Sequence, residues 1–168
     1  MWTGRAMAGY LVVIMMSLPG AARAQAPELG QPLADPTAWR CPEPTTCTKV
    51  GRFDGRSGIW SVDRDAEQVV TDVRFTTFWV PPEVPRSPVA AVSTRPATAS
   101  AAWFDAQLGR LRTQGWAGEA RGADVAELRR LDSKLEASRW TTVLKTEGGR
   151  RLESAAVQLR WLRAHASN

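Results

Sequence analysis

Four carboxylates crowd one short stretch of this chain: Asp63, Asp65, Glu67 and Asp72. Carboxylates two residues apart in a turn can share a Ca²⁺ ion, which is held by oxygen ligands. A pair set about 5–10 Å apart across a cleft can instead divide acid and base work on a glycosidic bond. The calcium pattern is incomplete, because no glycine follows at the required spacing and Arg64 intrudes. Asp63, Asp65 and Glu67 are thus a metal set only in part, and the plainer expectation is a solvated hairpin tip. A small hydrolase built on Asp63, Asp65 or Asp72 would need a cleft between their strand and the loop that follows it.

The other catalytic sets are missing. The one histidine, His165, lies outside every predicted element, which leaves no Ser-His-Asp or Cys-His arrangement. There is no H-E-x-x-H pair, no phosphate-cradling glycine loop and no G-x-S-x-G elbow. No catalytic residue, metal or cofactor is assigned on these grounds, and a binding role is favoured over an enzymatic one.

Tryptophan and arginine are the unusual components. The chain holds eight tryptophans, and arginine outnumbers lysine 19 to 3. Most of the tryptophans should be core, where a large ring buries much apolar area. Trp79, Trp140 and Trp161 fit buried strand faces. Trp60 faces away from Ile59, and Trp103 stands beside the stripe of its helix. These two are the candidate exposed platforms for a sugar ring or a partner protein, since solvent-facing tryptophan marks binding hot spots. Arg74, Arg110 and Arg112 would supply guanidinium groups, which grip carboxylates and phosphates in two-point fashion. The partner expected is an anionic envelope glycan or an envelope protein. No basic run is dense enough for a nucleic-acid tail.

Compartment follows from residues 1–24. Arg5 precedes the apolar run Tyr10–Leu18, Pro19-Gly20 breaks it, and Ala22-Arg23-Ala24 offers small residues at a cleavage site. The run is shorter than the roughly 20 residues a spanning helix needs. The segment reads as an export signal, so the mature chain would be periplasmic or secreted, with no transmembrane segment. The signal carries two arginines, so a formal net charge of +5 becomes +3 without it. In an oxidising compartment Cys41 and Cys47 should pair. The expected organisation is a signal peptide at 1–24, a proline-rich segment with a small disulfide loop at 25–48, and one domain at 49–168.

The elements needed to position these residues are as follows. Residues 57–62 form a short strand after a turn at Asp54-Gly55, and 67–80 alternate as a long one, with Val73, Phe75, Thr77 and Trp79 on one face. Pro81-Pro82 stops it, and a proline-rich internal loop occupies 81–99, with a short strand possible at 89–92. A helix spans about 100–114 on Phe104, Leu108 and Leu111, closed by Gly115 with Trp116 packing back on Leu111. A second helix spans about 125–137 on Val125, Leu128, Leu131 and Leu135, with Asp124 and Glu127 spaced as a capping box. Gly148-Gly149 then turns a C-terminal hairpin in which Trp140 pairs with Val157 and shares a face with Leu159 and Trp161. A helix from Leu152 to Leu162 competes with that hairpin but would leave Val157 and Trp161 wet. The fold class expected is α+β: a small antiparallel sheet, of an N-terminal strand pair and a C-terminal hairpin, packed on two helices.

Overall fold

A computed structural model describes residues 26–163 apart from residue 147. The expected export signal and His165 lie outside the described residues. The architecture is mostly β, which corrects the small sheet on two helices. Nine strands make one sheet: β1 (Arg40–Glu43), β2 (Thr46–Phe53), β3 (Arg56–Arg64), β4 (Val70–Val80), β5 (Ala90–Val92), β6 (Ala117–Ala120), β7 (Val125–Arg130), β8 (Ser133–Lys145) and β9 (Arg151–Arg163). Among the described residues a single α-helix, α1 (Pro96–Thr113), stands between β5 and β6. The order across the sheet is β1-β2-β3-β4-β9-β8-β7-β6, antiparallel throughout, while β5 runs parallel to β4.

Local chemistry accounts for most of these elements. Asp54-Gly55 closes the β2–β3 hairpin as a two-residue loop, with both residues at positive φ as a type I′ turn demands. The Cys41–Cys47 disulfide joins β1 to β2. Pro96 opens α1, where its missing N–H costs nothing. The helix ends as its sequence predicts: Gly115 sits at φ 87°, its N–H donates to Arg112 O, and Trp116 N–H donates to Leu111 O.

The second predicted helix does not exist. Residues 125–130 are β7, a turn follows at Leu131-Asp132, and β8 begins at Ser133. The working period is two, with Ala126 and Leu128 and then Leu135 and Ala137 wholly buried. Leu131, counted in the helical stripe, is 94% exposed at φ 52° in the turn. Asp124 does not cap a helix but pairs with Arg139. The stripe was a chance overlap, because a strand–turn–strand also places leucines three and four residues apart.

The C-terminal hairpin forms, in a different register. Trp140 pairs with Ala156, not Val157, and Lys145 with Arg151. The connection runs through residues 146–150, with Thr146 N–H donating to Arg150 O and Gly149 N–H to Thr146 O. This odd-numbered loop shifts the pairing by one residue relative to a two-residue Gly-Gly turn. A slip of one turns each side chain to the other face. Trp140 therefore leaves the core and Leu135 and Ala137 enter it.

The inner face of the sheet holds two apolar clusters. Under α1, Phe104, Leu108 and Leu111 meet Trp79, Leu128, Leu135, Val157 and Leu159. Under the N-terminal segment, Leu33 and Trp39 meet Trp60, Val62, Val73 and Phe75. That segment is pinned to β4 by Gly30 N–H to Val70 O and Val70 N–H to Gln31 O. Phe53, Trp103 and Trp161 touch both clusters. Among the described residues no helix lies on the outer face.

Candidate functional site

Of the two candidate platforms, Trp60 is not on the surface and Trp103 is only partly exposed. Trp60 is 2% exposed and stands among Phe53, Phe75 and Trp161, with ring centroids 4.8–6.0 Å away. Glycine at 51 makes room for it, since a Cβ there would lie 2.8 Å from Trp60 Cδ1. Facing away from Ile59 put Trp60 on the inner face, not in solvent. Trp103 is half-buried against Trp79, at 5.8 Å, and joins the core. The candidate arginines also have internal work. Arg74 pairs with Asp63 and Asp72, and Arg110 pairs with Asp54, which also accepts a hydrogen bond from Gln107 at 2.6 Å. Arg112 is exposed in the last turn of α1.

The acidic group is dispersed. Asp63 and Asp72 lie directly opposite each other on β3 and β4, on the outer face. Asp65 Oδ1 accepts from Val69 N–H at 2.8 Å and holds the β3–β4 turn, while Glu67 is exposed. Among the described residues no three carboxylate, cysteine or histidine side chains gather as a metal set would.

Asp63 and Asp72 instead begin a strip of alternating charge that crosses five strands. Arg160 on β9 donates to Asp72 Oδ2 from Nε at 2.7 Å and approaches Glu136 at 3.4 Å. Lys134 on β8 bridges Glu136 at 2.8 Å and Glu127 at 3.4 Å, and Glu127 on β7 also receives Arg129 and Arg121 at 2.9 Å each. The Asp72 hydrogen bond raises the pKa of Arg160, and the Glu136 hydrogen bond raises that of Lys134. The Arg129 hydrogen bond holds the Glu127 carboxyl below the usual glutamate value.

Beside this strip the outer face carries a mainly apolar groove. Ile59, Phe78, Val80, Trp140 and Ala156 line this groove of about 420 Å³, and Val89 and Ala90 after the proline-rich loop form its far wall. Glu83 in that loop meets Arg150 of the β8–β9 connection at 3.4 Å. Trp140 is 41% exposed at the groove. Sequence reasoning passed over it because the wrong register sent it inward; the odd loop length is the signal that would have found it. Val50, Val92 and Val125 are also exposed on this face, as their pairing with Ile59, Val80 and Ser138 requires. A second cavity, of about 390 Å³, opens on the inner face between Phe53, Trp60, Val73, Trp161 and the segment Ala26–Leu29.

One cation stands apart. The Arg56 guanidinium lies 4.1 Å from the Trp79 ring centroid, and its Nε and one Nη are buried with no acceptor among the described residues. Burial lowers its pKa. No helix among the described residues is long and apolar enough to cross a membrane. No protein-family description, characterised sequence or solved structure matches the chain.

Proposed function

We propose that this chain is an exported, non-enzymatic binding protein of the cell envelope, and that it holds an apolar segment of a protein partner in the outer-face groove at Trp140. The observation that carries this reading is Trp140 itself, 41% exposed at an apolar groove on a sheet face that no helix among the described residues covers. A large, partly exposed ring beside an apolar groove is a frequent anchor of protein interfaces. The Cys41–Cys47 disulfide agrees with an oxidising compartment. An apolar ligand is preferred to an anionic glycan because Arg74 and Arg110 are already paired with carboxylates. The alternative, a small hydrolase, is disfavoured for a similar reason. Asp63 and Asp72 are occupied by Arg74 and Arg160, and the groove lies away from them.

A photo-activatable phenylalanine analogue at position 140, in the cell that makes the protein, tests the site. A discrete adduct from position 140 that is absent from position 112 supports it; no adduct, or the same adducts from both, overturns it. The compartment is tested by the mass of the recovered chain. An intact N-terminus with two reduced thiols would remove the envelope setting.

A further inference from the structure

We propose that the protein pairs with a second copy of itself along the outer edge of β8, about a two-fold axis at Val143. This goes beyond the groove reading and does not depend on it. Strand β7 pairs with β8 only as far as Val125–Ser138, so among the described residues β8 has β9 as its sole neighbour from Trp140 to Lys145. The edge is open and oriented. Arg139 turns its N–H away from β9 to donate to Asp124 O at 2.8 Å. By the alternation of an antiparallel ladder, Thr141, Val143 and Lys145 turn their N–H and C=O groups the same way. All three are exposed, Val143 by 51%.

Exposed edges are usually blunted with proline, charge or a bulge. The neighbouring free edge, on β9 beyond Ala155, carries Arg151 and Glu153 and has the Glu83–Arg150 pair beside it. The β8 edge is less protected: residues 140–144 contain no proline and no charge, Thr141, Thr142 and Val143 are β-branched, and the one charge on it is Lys145 at its end.

Self-pairing suits this edge better than a foreign strand would, because its register closes on itself. With Val143 opposite its own copy, Thr141 falls opposite Lys145, and the three outward-facing residues of each chain all meet outward-facing residues. The match gives about six backbone hydrogen bonds. No like charges face each other, since Lys145 of each copy meets Thr141 of the other. The contact is smaller than the roughly 1,200 Å² of a standard interface, so the pair should be weak.

Sedimentation of the mature protein tests this, with the average mass expected to double across about 10 µM to 1 mM. Val143→Pro removes an N–H that β9 does not use, so it should keep the hairpin, read by circular dichroism, and abolish the dimer. Val143→Cys should cross-link rapidly in oxidised glutathione, because hydrogen-bonded partners sit about 5.5 Å apart between Cα atoms, within disulfide reach. Val50→Cys, an equally exposed valine on β2, should cross-link at least tenfold more slowly. A monomer at every concentration, a dimer that survives Val143→Pro, or equal cross-linking at 50 and 143 would each overturn the proposal. So would a foreign chain occupying the edge while the protein itself stays monomeric.

Discussion

Asp72 is the keystone of the charged strip, and its replacement by asparagine tests whether that strip stabilises the sheet. Its side chain is 7% exposed, yet it faces two guanidinium groups. Arg160 donates to Oδ2 from Nε at 2.7 Å and from a terminal nitrogen at 2.6 Å, and Arg74 Nε stands 3.3 Å from Oδ1. Asp72→Asn keeps the shape and removes the charge, so both arginines lose their shared counter-ion. Breaking a buried pair on one side costs about 3–5 kcal/mol. The arginines here are 29% and 40% exposed, and water recovers part of that loss. The expected destabilisation is about 2–3 kcal/mol, which lowers the midpoint of thermal unfolding by roughly 6–9 °C for a domain of this size. Urea unfolding supplies the free energy, and a double-mutant cycle with Arg160→Gln should give a coupling of at least about 1 kcal/mol. A change under about 0.5 kcal/mol would refute the reasoning and reduce the strip to surface decoration.

Four further outcomes are expected. Iodide should quench a part of the tryptophan emission that Trp140→Phe removes and Trp60→Phe leaves intact, since Trp140 is 41% exposed and Trp60 2%. Glu127 is held below its ordinary value, so its stabilising contribution is full at neutral pH and is lost as pH falls through the lowered value; thermal melts from pH 6 down to about pH 3 should fall less steeply in Glu127→Gln. Lys134 has the opposite sign: its contribution is present below 10.5 and is lost as pH rises through the raised value, so Lys134→Met should flatten the alkaline limb of the same curve. Reduction of Cys41–Cys47 should cost about 2 kcal/mol, read by urea unfolding with and without dithiothreitol, because the ring it closes is short.

Where one residue decided a local conformation, the sequence was legible. Alternation from Val73 to Trp79, the Asp54-Gly55 turn, the Gly115 helix ending and the proximity of the two cysteines are all local, and all four appear in the fold. Where a choice depended on distant partners, it was not. Residues 125–137 satisfy both a helical stripe and two short strands, and only the opposing β6 and β9 select the second. Strands β1 and β2 were hidden by Pro42 and Pro44 and by threonines, and β1 sits at the edge where proline is tolerated. The site suffered most from one residue of register. Gly148-Gly149 suggested the tightest turn, and the longer loop carried Trp140 to the opposite face.

The seam between β4 and β9 has a consequence for how the chain reaches this shape. Strands β1–β4 are successive hairpins, and so are β6–β9, each pairing close neighbours in sequence. The two meanders pair backbone to backbone along β4 and β9, from Asp72–Leu162 to Trp79–Ala155. Each can therefore assemble quickly from local contacts, whereas zipping the seam must first close a long stretch of chain that includes α1. Until that last step, β4 and β9 both present bare strand edges and uncovered aromatic rings. The slowest event in folding is thus also the interval in which the nascent protein is most open to aggregation.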